Sequence, residues 1–163
     1  RKPERFEEAA REIEAAGFGL IRRSRPDAAT RGEAPPVILG DTMGELRSFY
    51  ALADVAFVGR SLVDLGPRQH GSDMIEPAAL GKATIVGPYT ANFADAMRQL
   101  RAAGGIGEVR DGASLREMLA LLLRDPAAAG AMGEAARRAV QRNVGATARH
   151  AQAILESLDA GAV

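Results

Sequence analysis

The sequence predicts an α/β fold: a Rossmann-like parallel sheet with flanking helices, followed by a helical C-terminal tail. Three observations carry this. Short apolar runs alternate with longer stretches of helical periodicity, the pattern of βαβ units joined by right-handed crossovers. The 18 glycines supply turns while alanine fills the intervening stretches. From Ala113 onward the strand-like runs stop and only helical periodicity remains. With 163 residues the chain suits one domain, 1–112 forming the α/β part and 113–163 the tail.

Residues 3–16 read as the first helix, with Phe6, Ala9, Ala10, Ile13 and Ala16 on one face and Gly17 as its stop. Residues 18–21 give a first strand, and 24–36, with three prolines and many charges, a loop. Residues 37–39 are a second strand, too short and too apolar for a solvated face. Thr42 and Glu45 have capping-box spacing and open a helix over 44–52 with Leu46, Phe49, Tyr50 and Leu52 as its apolar positions. A third strand, 54–58, is closed by Gly59, and a polar loop of unusual length runs over 60–73. A short helix, 75–80, ends at Gly81; a fourth strand covers 84–86 and Gly87-Pro88 turns the chain. Asn92 is the expected N-cap of a helix reaching Ala103, ended by Gly104-Gly105, and 106–109 form a fifth strand. In the tail, Leu115, Met118, Leu119 and Leu122 mark one helix stopped at Asp125-Pro126. A second runs from about Ala127 to Arg142, and a third carries Ala151, Ile154, Leu155 and Leu158.

Composition narrows the chemistry. Lysines plus arginines number 21 and aspartates plus glutamates 21, so there is no basic excess to draw the chain to nucleic acid or anionic lipid. Without cysteine there are no disulfides and no thiolate metal sites, and His70 and His150 are too few for a histidine metal cluster. Aromatic residues make up 4%, which leaves little for base-stacking platforms. No apolar run approaches the roughly 20 residues of a membrane span, and no signal peptide is visible. The chain starts at Arg1-Lys2-Pro3-Glu4 without an initiator Met, as the interior of a longer protein would. P-loop, G-x-G-x-x-G and Ser-His-Asp patterns are absent, which argues against a standard NAD domain or an NTPase.

In a parallel sheet ligands bind along the carboxyl edge, and 41–93 holds four such handovers from strand to turn. At Asp41-Thr42-Met43-Gly44-Glu45 a helix start after a strand would offer free N–H groups to an anion, with Gly44 leaving room for it. The other reading is a plain cap. In Ser72-Asp73-Met74-Ile75-Glu76-Pro77, proline places Glu76 in a first helical turn. Its carboxylate accepts hydrogen bonds only, which suits a ribose diol and repels phosphate. Asp73-x-x-Glu76 also has capping-box spacing, so a structural role stands beside the functional one. In the long loop, which also holds Ser61 and Gln69, Arg60 or Arg68 could pair with an anionic donor and His70 could titrate near neutrality; the other reading is a solvated surface loop. Arg137, Arg138, Arg142 and Arg149 read as a solvated helix face.

Several blocks in order resemble a known family. They are Asp41-Thr42-Met43-Gly44-Glu45-Leu46, the run Tyr50 to Gly59, Ser61-Leu62-Val63, Glu76-Pro77-Ala78-Ala79-Leu80-Gly81-Lys82, and Gly87-Pro88 with Asn92-Phe93. The chain is similar in these to the carboxyl-terminal half of the 3-deoxy-D-manno-octulosonic acid (Kdo) transferases. Arg1-x-Pro3-Glu4-Arg5-Phe6 and Met132-Gly133-Glu134-Ala135-Ala136 fit the same pattern.

The resemblance implies the donor-binding domain of a GT-B glycosyltransferase, one of two Rossmann-like domains facing a cleft, with its first strand missing here. It implies CMP-Kdo as donor substrate, no cofactor and no bound metal. It further implies transfer of Kdo to lipid A precursor in lipopolysaccharide biosynthesis, at the cytoplasmic face of the inner membrane. The base is expected in an amino-terminal acceptor domain, so no catalytic residue is expected in this chain. By carry-over Met43, Gly44 and Glu45 line the CMP pocket, Arg1 reaches the phosphate or sugar acid and Glu76 binds ribose; Ser61, Ser72, Asp73 and Asn92 complete the expected donor set. One departure stands out. Gly71-Ser72-Asp73 replaces the family's Gly-Gly-His-Asn after an apparent insertion at 67–70, and Arg60 replaces a usual glycine. A different nucleotide sugar, or a degenerate interaction module, therefore remains an alternative to CMP-Kdo.

Overall fold

The computed structural model describes residues 5–32, 34–66 and 71–142. Arg1, Arg68, Gln69, His70, Arg149 and the tail helix expected around Ala151 to Leu158 lie outside the described residues. The described chain is α/β with parallel strands, as expected, and it divides into two compact units between Phe49 and Tyr50.

In the first unit, helix α1 (Phe6–Ala15) packs on strand β1 (Phe18–Arg22), which pairs in parallel with β2 (Ala34–Leu39). Ala10 of α1 and Leu20 of β1 are buried, and Gly17, at φ +82°, makes the left-handed turn between the two elements. The second strand starts three residues earlier than periodicity predicts, because it takes in Pro35 and Pro36. Phe18 faces Ala34 but Leu20 faces Val37, so β2 carries an extra residue where the prolines sit. A bulge tolerates a residue with no N–H to donate. The expectation that this strand has no solvated face is also corrected, since Ile38 is 63% exposed. On the edge of β1, Thr30 behaves as a substitute strand: Leu20 N–H donates to its hydroxyl at 3.0 Å and its own N–H donates to Leu20 C=O at 2.8 Å.

Helix α2 (Leu46–Leu52) runs from the first unit into the second and buries none of its residues; Leu46 and Leu52 are exposed. It begins two residues later than expected because Gly44 sits at φ +83°, a left-handed conformation that ends or precedes a right-handed helix.

The second unit holds a three-stranded parallel sheet of β3 (Val55–Phe57), β4 (Ala83–Val86) and β5 (Gly107–Glu108) in that order. Between them come α3 (Ile75–Ala79) and, after a 3-10 turn over Ala91–Phe93, α4 (Ala94–Ala102). Helices α5 (Gly112–Arg124) and α6 (Pro126–Gln141) follow. Central strand β4 is buried along its length. Its Val86 joins Met74, Ala78, Met97, Leu100, Ala136 and Ala139 in one cluster, while Ala83 and Ile85 join Val109, Leu122 and Ala129 in another. Alternate strand residues thus feed two cores, one on each face of the sheet.

Glycines allow α6 to lie close. A Cβ on Gly133 would stand 2.0 Å from Gly81 C=O, and one on Gly105 would stand 2.5 Å from Ala136 N. The start of α5 is fixed by a reciprocal cap that periodicity alone misses. Ser114 N–H donates to the Asp111 carboxylate at 2.8 Å and Asp111 N–H donates to the Ser114 hydroxyl at 3.1 Å. Asp125 caps α6 through Ala128 N–H at 2.9 Å, with Pro126 in the first turn. On α6, Arg137 and Arg138 are exposed and pair with Glu134, the solvated face that was expected. Among the described residues no helix is long and apolar enough to cross a membrane.

Candidate functional site

In the first unit β1 and β2 run parallel, so their carboxyl ends, Arg22-Arg23-Ser24 and Gly40-Asp41, come side by side. Asp41 ties them together. Its carboxylate accepts from Ser24 N–H at 2.8 Å and from the Ser24 hydroxyl at 2.6 Å, with Arg22 Nε at 3.8 Å. Arg22 in turn pairs with Glu7 of α1 at 2.8 Å. The Asp41 side chain is 5% exposed. These hydrogen bonds from Ser24, aided by the Arg22 charge, hold its carboxyl below the ordinary aspartate range against the opposing effect of burial.

That shift has a consequence for pH. A depressed folded pKa contributes stability that is complete above the unfolded value, about 3.9, and is lost as pH falls through the lower folded value. Asp41→Asn should remove this component, so that the variant is less stable than the parent at neutral pH and the gap closes below pH ~4. Thermal melts from pH 7 down to 3 would check it; a gap independent of pH would contradict the assignment.

Asp41 opens the turn Thr42-Met43-Gly44-Glu45. The Thr42 hydroxyl donates to the Glu45 carboxylate, which also accepts from Arg23 at 2.9 Å. Both contacts, the threonine first, lower the glutamate's pKa. Glu45 C=O accepts from Ser48 and Phe49 N–H, so Glu45 takes the place of the cap. The capping box expected from Thr42 and Glu45 is therefore replaced by a side-chain pair. Met43 is 63% exposed, and Gly44 is glycine for its backbone conformation, since a Cβ there would meet nothing within 4 Å. Arg23, a cation the sequence did not single out, pairs with Glu45 and offsets its charge beside this turn.

In the second unit the carboxyl ends of β3 and β4 are bound to each other. The Ser61 hydroxyl donates to Val58 C=O at 2.6 Å and accepts from Gly87 N–H at 2.8 Å, and Tyr89 N–H donates to Ser61 C=O at 2.9 Å. Ser61 is wholly buried, with its hydroxyl used as both donor and acceptor within the fold. Arg60, exposed beside it, adopts φ +63°, a conformation that favours the glycine usual at this position in the family it resembles.

Further along the same edge, Asp73 accepts from Ile75 N–H at 2.7 Å, a turn two residues long in place of the Asp73-x-x-Glu76 box. Met74 is fully buried, which seats the start of α3, and Glu76 stands exposed in its first turn. Asn92 departs from its expected role. It lies inside the 3-10 turn, makes no cap to α4, and bonds Gly71 instead, accepting from its N–H at 3.0 Å and donating to its C=O at 3.3 Å. The structure so brings Gly71 to Asn92, and Ser61 to Gly87. Met43, Gly44 and Glu45 lie together in the first unit, and Arg1 is outside the described residues. At the opposite, amino edge of the sheet a cavity of about 390 Å³ is lined by Asp54, Lys82, Leu122, Leu123 and Pro126 among others.

No protein-family model matches the chain. It is 44% identical over 157 residues to the 3-deoxy-D-manno-octulosonic acid transferase of Bordetella pertussis, which covers 94% of this chain and 35% of the relative. To the protein of the same description from Haemophilus influenzae it is 37% identical over 150 residues, covering 91% of this chain and 34% of the relative. The chain therefore spans about a third of the length of these curated relatives. Among solved structures it resembles the C-terminal CMP-Kdo binding domain of WaaA from Acinetobacter baumannii, with a TM-score of 0.73 and 29% identity, covering 86% of this chain and 70% of that one. The resemblance read from the motif blocks thus holds along nearly the whole chain, and the α/β fold is that of this domain.

Proposed function

We propose, from a chain related to the Kdo transferases over nearly all its length, that it is the donor-binding domain of a glycosyltransferase that uses CMP-Kdo. The observation that carries this is the similarity itself, joined to a carboxylate, Glu76, standing exposed at the start of a helix on the carboxyl edge of a parallel sheet. An amino-terminal domain of the same protein would bring the acceptor, lipid A precursor, at the cytoplasmic face of the inner membrane. Kdo would pass from CMP to an acceptor hydroxyl, lipopolysaccharide biosynthesis being the setting.

Within this reading Met43, Gly44 and Glu45 line the pocket for CMP, and Arg1 stabilises the phosphate of the departing nucleotide. Ser72 and Asp73 border the donor, and Glu76 accepts from the ribose diol. Ser61 acts indirectly, by fixing the Gly87 turn. The donor needs neither metal nor other cofactor in this proposal.

Calorimetric titration with CMP, CDP, UMP and NAD tests the donor, and CMP should bind tightest. No preference for CMP would sink the assignment, and a preference for UMP would favour another nucleotide sugar, the reading that the Ser72-Asp73 departure supports. Glu76→Ala should weaken CMP roughly tenfold to a hundredfold, the worth of hydrogen bonds to a charged group. The same variant should no longer distinguish CMP from its 2′-deoxy analogue; if it still does, ribose recognition lies elsewhere.

A further inference from the structure

Asn92 uses both ends of its carboxamide on one residue, Gly71, across 21 positions of sequence. A planar group carrying a donor and an acceptor side by side is what matches a backbone N–H and C=O together, and the side chains that offer it are those of Asn and Gln. The fit is close: a Cβ on Gly71 would stand 3.0 Å from Tyr89 C=O and 3.3 Å from Asn92 Oδ1. Two residues further on, Asp73 holds Ile75 N–H and Met74 is sealed in the core. The segment Gly71-Ser72-Asp73 is thereby fixed at both ends, by Asn92 at its entrance and by Met74 at its exit.

We infer that Asn92 is a positioning residue, acting on the donor-binding edge through Gly71 and so setting how Ser72, Asp73 and the Glu76 turn are presented. This rests on the CMP reading above and changes one part of it: the expected donor contact at Asn92 becomes a clamp on the loop that makes the contacts. The loop it clamps is where the chain departs from its relatives, so the clamp also holds the residues on which donor choice would depend.

The test uses the 163-residue chain and its Asn92→Ala, Gly71→Ala and doubly substituted forms, with CMP affinity and ligand-free amide exchange as readouts. Loss of its acceptor should speed exchange at Gly71 in Asn92→Ala roughly tenfold. Each single substitution should weaken CMP about tenfold, and the double no more than the weaker single, because both break one clamp. Asn92→Gln, which keeps the carboxamide but displaces it by a methylene, should behave as Asn92→Ala and serves if Gly71→Ala fails to fold. Additive losses near a hundredfold, wild-type affinity in Asn92→Gln, or unchanged exchange at Gly71 would overturn the inference. Absence of CMP binding in the parent chain would instead overturn the donor reading, and the exchange measurement would still decide the clamp.

Discussion

Gly87→Ala is expected to cost about 3 kcal/mol or more of stability, at the upper end of what overpacking does. The added methyl would lie 2.2 Å from Ser61 C=O, 2.4 Å from Leu62 Cα and 2.6 Å from the Ser61 carbonyl carbon. All three are backbone atoms, so no flexible side chain can swing aside. Nor can the two loops part cheaply: Gly87 N–H, the Ser61 hydroxyl, Val58 C=O and Tyr89 N–H form one connected set in a buried place. Separating them would leave buried groups unpaired, each at about 1–3 kcal/mol. Denaturant unfolding would measure the loss. Gly59→Ala is the control, because a Cβ there meets nothing within 4 Å and should change stability by less than about 0.5 kcal/mol. Equal effects at the two glycines would mean that the close approach at Gly87 is not what costs.

Met74→Ala is expected to cost about 2–5 kcal/mol, the range for emptying a buried large side chain. Met74 is fully buried in one cluster with Val58, Val86 of β4, and Met97 and Leu100 of α4. It is also the residue from which α3 starts, between Asp73 and Glu76. The substitution should therefore loosen the proposed donor edge as well as the core, weakening CMP even where the chain remains folded. Met74→Leu keeps the volume and should cost less than about 1.5 kcal/mol. Full CMP affinity in folded Met74→Ala would separate the core from the edge.

Much of the fold is legible in the residues. The βαβ alternation, the parallel strands and the positions of five strands and their helices follow from apolar runs and helical periodicity, and the strand starts and ends fall within a few residues of expectation. Gly17, Gly81 and Gly104 all adopt positive φ where they were read as helix stops. The misses are instructive. Pro35 and Pro36 argued for a loop, yet a bulge absorbs them. Leu46 and Leu52 argued for a buried helix face, yet both are exposed. Asp41 was read as the start of an anion-binding turn, yet its carboxylate is taken up by Ser24, which lay in a stretch read only as loop.

The candidate site divides along the same line. Glu76 could be placed from Pro77 alone, since proline's fixed φ and missing N–H restrict where it fits in a helix. Asn92 and Thr42 could not be assigned, because their sequence context satisfies a cap while their partners were chosen by packing. Ser61 meets Gly87 across 26 residues, and Asn92 meets Gly71 across 21. Periodicity, caps and turn glycines operate within about four residues, the reach of one helical turn or one β-turn, so the sequence by itself determined the elements, their order and the turns between them. Which hydroxyl, amide or carboxylate faces which backbone group depends on how those elements pack. Tertiary structure alone therefore decided that Ser61 is a buried staple, that Arg23 neutralises Glu45, and that Asn92 holds Gly71.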